Sequence, residues 1–251
     1  MITASSTAVR TIREERRGDV PLFVHPDWVR WNWLVQGTTS RDAGDFASFG
    51  GQTSNDVQTR WRGLRQKTRT RRSVLGRQVH GAHVLSHETF ADGMLFTDDA
   101  DGHLTRVVGT LLAVSVADCV PVFIVDERSR MVAVLHAGWR GVAAGILARG
   151  IKCMGGFLAN THVHLGPAIC GGCYEVGPEV HAALGLPSPA ANTPVDLRTV
   201  LARQALELGV PEAHITTSAL CTLCNDSPFF SHRGGHAQRQ VGIIGLTTAH
   251  G

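Results

Sequence analysis

The sequence lacks the features that direct a protein to a membrane. It contains no apolar stretch of about 18 or more residues, so it offers no membrane-spanning segment. The N-terminal sequence M-I-T-A-S-S-T-A-V-R has no apolar core of the kind found in signal peptides. A formal net charge of +3 is too small to indicate nucleic-acid binding by itself. We therefore expect a soluble, cytoplasmic protein without nucleic-acid or membrane partners, and we expect it to be a monomer.

Internal repeats and linker-like breaks in composition are also missing. The 251 residues are 43% hydrophobic and 18% charged, which is typical of a globular protein large enough to bury a sizeable core. Residues 1–18 are polar and charged and predict a flexible leader, so residues 19–251 are expected to form a single domain.

The cysteine content does not predict a disulfide framework, because a reducing compartment disfavours one for the six cysteines. Four of them form two C-x-x-C pairs, Cys170 with Cys173 and Cys221 with Cys224. A shared zinc site is one interpretation, but the pairs are much further apart than the roughly 15 to 20 residues of a compact zinc ribbon. The stretch C-G-G-C-Y-E-V-G-P contains glycines and a proline and predicts a loop. We therefore expect two unrelated elements that do not form a zinc cluster.

Hydrophobic periodicity predicts strands and helices in mixed order. Residues 20–36 alternate apolar and polar side chains, as in a half-buried antiparallel strand or hairpin. Continuous β-branched runs at 111–119, 121–126 and 131–136 are typical of central strands covered on both faces. Helical spacing recurs after Asp56, which is the predicted cap of that helix, over 142–153, and from Asp196, which starts a helix. The fold class is therefore α+β, a single domain with mixed sheets layered between helices as an α-β-β-α sandwich.

A dense basic segment follows Asp56. Arginines and a lysine without any acid occupy the helix and the residues after it up to Arg77. A nucleic-acid patch is one interpretation, but aromatic residues other than Trp61 and recognised nucleic-acid motifs are missing. A solvated helix face is the preferred interpretation.

Three apolar runs each end on a side chain that can bind a metal. They end at His80, Cys119 and His136, and neighbouring strands would deliver these residues to one rim of a sheet. Two imidazoles and a thiolate suit zinc or copper, and three protein ligands leave a fourth position for water or substrate. The alternative is that the histidines are buried and hydrogen-bonded in the core, since the chain contains 13 of them.

An anion site is expected beside these ligands. H-A-G-W-R-G leads into the helix predicted over 142–153, and its N-terminal amides and Arg140 would face the same rim. Asp118 neighbours Cys119 but should point to the other sheet face, which favours a structural role over catalysis. His162 and His164 share one strand face and are interpreted as exposed or core residues.

The chain contains no H-E-x-x-H, H-x-E, P-C-x-x-C, G-x-S-x-G, Walker loop or G-x-G-x-x-G motif, which excludes several metalloenzyme and nucleotide-binding classes. Five ordered motifs are present instead: Q-V-H-G at 78–81, A-D-C-V-P at 117–121, H-A-G-W-R-G at 136–141, G-P-A-I-C-G-G-C-Y-E-V at 166–176 and F-F-S-H-R at 229–233. Together they resemble the YfiH-like family, whose members have been called laccase-like polyphenol oxidases, peptidoglycan editing factors and FAMIN-type purine nucleoside phosphorylases.

The resemblance implies a mononuclear zinc, sometimes copper, at the residues that match the family ligands, namely His80, Cys119 and His136. It also implies phosphorolysis of adenosine, inosine, guanosine and methylthioadenosine, together with adenosine deamination, so a purine nucleoside and phosphate are the expected partners. The family pattern T-R-x-G-G is matched imperfectly by residues 40–44, which makes Arg41 a second candidate for phosphate beside Arg140. Residues 19–251 would then be a catalytic domain.

Other functions remain open at this point. A polyphenol oxidase would require more copper ligands than one His-Cys-His set supplies. A hydrolase that edits mis-built peptidoglycan precursors would use an activated water against an amide. A non-enzymatic partner protein would show no metal affinity. Glu175 and His232 are unassigned candidates for proton transfer.

Overall fold

The computed structural model describes residues 9–18, 22–47, 54–155, 158–224 and 226–247. Within these ranges the chain forms two seven-stranded mixed sheets that pack face to face, with helices against both outer faces. The arrangement confirms the predicted α-β-β-α sandwich. No helix in these ranges is long and apolar enough to cross a membrane.

The first sheet, sheet I, has a central hairpin whose two strands are buried along their whole length. In spatial order it contains β1 (Arg10–Ile12), β15 (Ile215–Ser218), β12 (Thr161–Leu165), β10 (Val120–Asp126), β11 (Met131–Ala137), β8 (Gly102–Thr105) and β6 (Val84–His87). The hairpin of β10 and β11 is antiparallel, with Val120 opposite Ala137 and Asp126 opposite Met131.

The second sheet, sheet II, is built from the remaining long strands. In spatial order it contains β2 (Glu15–Arg17), β3 (Leu22–Val24), β4 (Leu34–Thr39), β16 (Gln240–Leu246), β9 (Thr110–Val116), β5 (Arg72–Arg77) and β7 (Gly93–Asp99). Strand β5 runs parallel to both β7 and β9. A separate antiparallel pair consists of β13 (Glu175–Val176) and β14 (Thr193–Pro194).

Helices cover the outer faces of the sheets. They are α1 (Asn55–Lys67), α2 (Trp139–Ala143), α3 (Ile146–Met154), α4 (Pro178–Ala183) and α5 (Leu197–Glu207). Short 3₁₀ turns lie at Pro26–Arg30, Arg41–Ala43, Leu158–Asn160, Gly171–Cys173 and Glu212–His214. Helix α1 packs on sheet II, and the other helices pack on sheet I.

The core explains why the central strands are apolar without alternation. In β10, Val122 and Ile124 pack toward the helices, whereas Phe123 and Val125 pack against sheet II. Successive side chains of a strand point to opposite faces, and here both faces are covered. The continuous apolar runs therefore indicate strands that are buried on both faces of the sheet.

The helices predicted after Asp56 and from Asp196 are confirmed. Val57, Trp61 and Leu64 are the buried residues of α1, and Asp196 caps α5 by accepting a hydrogen bond from the backbone N–H of Arg198. The predicted cap of α1 was wrong by two positions. Ser54 occupies that position, since its side chain accepts from the backbone N–H of Val57.

The helix predicted over 142–153 is interrupted. Gly145 adopts a φ of 79°, which ends α2 after five residues and starts α3 in a new direction. Arg140 does lie in the first turn of α2, as expected. So short a helix adds little dipole to an anion site, which shifts the expected role toward the Arg140 side chain.

Three connections are more structured than the sequence suggested. Residues 9–18 of the predicted leader contain β1 and β2, which pair with β15 and β3, while residues 1–8 lie outside the described residues. Of the two interpretations of residues 20–36, the hairpin is confirmed, because β3 and β4 pair antiparallel and a 3₁₀ turn beginning at Pro26 separates them. The stretch after His80 holds β6, β7 and β8.

Candidate metal centre and its two cavities

His80, Cys119 and His136 come together at the junction of the two sheets. Their ligand atoms all lie within 4.8 Å of one another. His80 follows β5, Cys119 lies between β9 and β10, and His136 is part of β11. Strands β5 and β9 are neighbours in sheet II, whereas β10 and β11 belong to sheet I. The predicted single rim is therefore wrong, and the group bridges two sheets.

The link from β9 to β10 crosses from one sheet to the other at Ala117–Cys119. Asp118 has a φ of 84° there, a left-handed conformation that is uncommon for a residue with a side chain. Its buried carboxylate accepts hydrogen bonds from Thr222 Oγ1 at 2.6 Å and from the Arg233 backbone N–H at 2.7 Å. These contacts hold the turn that presents Cys119. Asp118 also lines a cavity beside Cys119, so a purely structural role for it stays a prediction.

A buried carboxylate that the sequence analysis missed connects the other two ligands. Asp101 accepts hydrogen bonds from the backbone N–H groups of Val79, His80 and Gly81 at 2.8 to 3.2 Å. It also accepts from Nδ1 of His136 at 2.9 Å, which leaves Nε2 of that ring for a metal. No periodicity marks Asp101, because its role depends on the 79–81 loop folding beside it.

The electrostatics of the group favour a thiolate. Burial disfavours ionisation of Cys119, but the attraction and hydrogen bonds of His136 and His80 outweigh it and lower the Cys119 pKa to about 6. Burial likewise opposes a charge on His136, yet Cys119 and Asp101 together raise its pKa to about 9. The thiolate is the form of cysteine that binds metals.

Gly138 leaves space for the ligand group. A Cβ at this position would lie 2.9 Å from Cδ2 of His80 and 3.0 Å from Sγ of Cys119, closer than real Cβ contacts. Glycine therefore allows the backbone before α2 to approach both ligands. Together with the donor set of two imidazoles and one thiolate, this cradle fits a zinc or copper ion held by three protein ligands.

Two cavities meet at these ligands. They share four lining residues: His80, Ala117, Cys119 and His232. The larger cavity, about 410 Å³, also reaches His136 and Arg239. The other, about 360 Å³, also reaches Arg140, Tyr174 and Arg233. An open position at the metal would therefore be accessible from two sides.

The two predicted arginines differ in their positions. Arg140 lines the smaller cavity with its guanidinium 4.3 Å from the ring centroid of Trp139. Arg41 is exposed, its guanidinium donates to the carbonyl of Ser227, and it is not among the residues that line either cavity. The structure thus brings Arg140, but not Arg41, to the metal ligands.

The two candidates for proton transfer, His232 and Glu175, also differ in their positions. His232 lines both cavities, whereas Glu175 is exposed and contributes its backbone carbonyl to Arg233. Tyr174 and Arg233 had no role in the sequence analysis although both lie inside recognised motifs. The Arg233 guanidinium lies 5.3 Å from the Tyr174 ring centroid, so the two form one wall of the smaller cavity.

The C-x-x-C pairs are a second group with metal-binding geometry. The sulfurs of Cys170, Cys173, Cys221 and Cys224 all lie within 4.8 Å of one another. The prediction that the pairs belong to unrelated elements was therefore wrong. A parallel bridge between Ala168 and Cys221 aligns the two loops, a long-range contact that sequence separation does not reveal.

Comparisons with known proteins agree with the motifs. A family model described as multi-copper polyphenol oxidoreductase laccase matches residues 38–247. Adenosine deaminase RL5 from an unknown prokaryotic organism is 32% identical over 183 residues, 67% of this chain and 68% of the relative. Purine nucleoside phosphorylase YlmD of Geobacillus stearothermophilus is 35% identical over 202 residues, 69% of this chain and 72% of the relative.

A solved structure supports the same relationship. The crystal structure of YlmD from Geobacillus stearothermophilus superimposes with a TM-score of 0.82 and 29% identity, covering 95% of this chain and 100% of that one. Fold, motifs and family model thus coincide over most of the chain, which belongs to the YfiH-like family described as multi-copper polyphenol oxidoreductase laccases.

Proposed function

We propose that the protein is a metal-dependent purine nucleoside enzyme. It cleaves adenosine, inosine, guanosine and methylthioadenosine with phosphate, and it deaminates adenosine. The observation that carries this proposal is the position of His80, Cys119 and His136 between two cavities, one of which contains Arg140. The printed names of the relatives, a purine nucleoside phosphorylase and an adenosine deaminase, support it.

The proposed metal is zinc, with His80, Cys119 and His136 as its ligands; copper is the alternative for the same donors. A zinc ion held there would supply Lewis acidity at an open coordination position. Asp101 keeps His136 oriented by accepting a hydrogen bond from its Nδ1–H, and it holds the backbone of His80 in place. These contacts preorganise the ligands before any substrate binds.

Phosphate is proposed to bind in the smaller cavity. Arg140 and Arg233 both reach this cavity, and guanidinium groups match the oxygens of phosphate. Each guanidinium lies over an aromatic ring of the same cavity, Arg140 over Trp139 and Arg233 over Tyr174. The nucleoside would then approach from the side of the larger cavity, with its sugar between the two. Direct contact of Arg41 with phosphate stays a prediction.

His232 is proposed to transfer a proton to or from the purine, because it lines both cavities. Cleavage of the glycosidic bond leaves negative charge on the departing base, and a proton from a nearby side chain would neutralise it. Glu175 is less suited to this step, since its exposed side chain is not among the lining residues. Cytoplasmic location and a monomeric state also stay predictions.

Polyphenol oxidation is not favoured by the ligand groups. Among the described residues, clusters of metal-binding side chains comprise the His-Cys-His group and the four cysteines. A multicopper oxidase needs several coppers with histidine-rich coordination, which neither group offers.

The decisive experiment is product analysis by mass spectrometry after metal-loaded protein is mixed with adenosine at several phosphate concentrations. We expect release of adenine or hypoxanthine that increases with phosphate, and inosine formation that depends on it much less. Oxidation of a phenol in a parallel assay, with no change in adenosine, would contradict the proposal.

A further inference from the structure

The four-cysteine group has the dimensions of a tetrahedral metal site. Sγ of Cys224 lies 3.7 Å from Sγ of Cys170 and 3.7 Å from Sγ of Cys173. Four sulfurs placed at about 2.3 Å from a zinc ion in a tetrahedron would lie about 3.8 Å apart. The two separations from Cys224 match this spacing, and the four sulfurs all lie within 4.8 Å of one another.

Backbone donors support a thiolate in the same group. Sγ of Cys221 accepts hydrogen bonds from the N–H groups of Cys170, Leu223 and Cys224 at 3.3 to 3.4 Å. Three N–H donors on one sulfur stabilise negative charge there. This arrangement suits a metal-bound thiolate better than a neutral thiol, which is a weak acceptor.

A disulfide explains the arrangement less well. Cys224 is equidistant from two possible partners, and both sulfur pairs are far from the roughly 2.05 Å of a disulfide bond. Disulfides join sulfurs in exclusive pairs, whereas Cys224 lies equally near Cys170 and Cys173. Four convergent sulfurs are instead accounted for by a single ion.

We propose that Cys170, Cys173, Cys221 and Cys224 bind a structural zinc ion. Four protein ligands complete the tetrahedron and leave no position for a substrate, so the site stabilises the fold and does not catalyse. It is separate from the His-Cys-His group, and its occupancy does not depend on the proposed function.

The contacts around the cluster show what the zinc ion would hold in place. It joins the loop around 168–173 to the loop around 221–224, and both loops contact Asp118. The backbone N–H of Ile169 donates to the Asp118 carbonyl at 3.0 Å, and Thr222 Oγ1 donates to its carboxylate. Because Asp118 positions the turn before Cys119, the zinc ion acts indirectly on the other metal group.

Metal counting tests the proposal. Elemental analysis of the wild type should give about two metal equivalents, and the double variant Cys173→Ser, Cys224→Ser should lose about one of them. Cys119→Ala should lose the other, whereas Cys153→Ser, which changes an exposed cysteine of α3, should lose neither. A wild type whose bound metal disappears entirely in Cys119→Ala would overturn the four-cysteine site.

A measurement on the unmodified protein guards against variants that do not fold. Native protein is treated with an alkylating reagent with and without a chelator, and the modified cysteines are mapped by mass spectrometry. We expect Cys153 to be alkylated in both samples, and the four cluster cysteines to be alkylated chiefly after chelation. Equal modification without chelator, or an intact mass lower by two hydrogen atoms for each disulfide formed, would refute the zinc site.

Discussion

The two groups of metal-binding side chains are built in opposite ways. The His-Cys-His group takes its ligands from elements of both sheets, has three protein ligands and borders two cavities. The four-cysteine group takes its ligands from two loops and offers four sulfurs that enclose the space between them. The proposed difference between an open and a closed metal site therefore depends on the number of converging ligands and on access from a cavity.

Loss of a ligand from the open group should have the largest effect. Cys119→Ala removes the thiolate, and we expect metal content to fall by about one equivalent and activity on adenosine by more than the roughly 10–100-fold that follows loss of an outer partner. Elemental analysis and kcat/KM measure both. Cys153→Ala is the matched control and should behave as wild type, and retained metal in Cys119→Ala would remove Cys119 from the site.

A methyl group at Gly138 should also disrupt the open group. Gly138→Ala places a Cβ within about 3 Å of His80 and Cys119, so we expect a marked loss of metal affinity. Gly63→Ala is the control, because its Cβ in α1 would meet nothing within 4 Å, and it should stabilise the fold by about 0.5–1 kcal/mol. Metal titration and thermal unfolding distinguish the two. Unchanged metal affinity in Gly138→Ala would contradict the cradle.

Removal of the orienting carboxylate tests whether the open group is preorganised. Asp101→Asn keeps the shape but removes the charge that faces His136, and we expect metal affinity to drop by about 10–100-fold. Asp98→Asn, a change at an exposed carboxylate in β7, should leave it unchanged. Competition with a chromogenic chelator gives both affinities. Equal metal affinities for wild type and Asp101→Asn would show that Asp101 acts only by accepting hydrogen bonds from the backbone of residues 79–81.

The proposed phosphate site predicts different effects for substitutions of Arg140 and Arg41. Arg140→Ala should reduce phosphorolysis by roughly 10–100-fold, as expected for loss of a charged hydrogen bond worth about 1.5–3 kcal/mol, and should impair deamination less. Arg41→Ala should have the smaller effect, since Arg41 does not line either cavity. The readout is the ratio of released base to inosine across phosphate concentrations. A ratio unchanged in Arg140→Ala would withdraw the anion site.

His25, which lies outside both groups of metal-binding side chains, should make the fold less stable in acid. Burial, with the charges of His164, Arg10 and Arg30 adding to it, lowers the pKa of His25 to about 2. Below about pH 6.5 the unfolded chain therefore binds a proton at this histidine that the folded chain does not bind. The free energy of unfolding consequently falls as the pH decreases, by up to about 1.4 kcal/mol per pH unit. Urea titrations between pH 7 and 4 should show a flatter dependence for His25→Asn. Identical slopes would contradict a neutral His25.

Much of the candidate site could be read from residue types and local order. His80, Cys119 and His136 each follow or end an apolar run, so each was expected at the end of a strand. Asp101 could not be identified in this way, because it lies far from its partners in the chain. Tyr174 and Arg233 lay inside recognised motifs, yet only the fold shows that they share a wall.

The sequence by itself determined the elements whose signals are local. The buried stripe of α1 follows from helical periodicity. The start of α5 follows from the residue type of Asp196, and the doubly covered strands β10 and β11 follow from continuous apolar runs. The tertiary structure alone decided that the first metal group bridges two sheets and that the cysteine pairs meet. Both results depend on strand order and on a bridge between distant loops, and such long-range pairings leave no periodic trace in the chain.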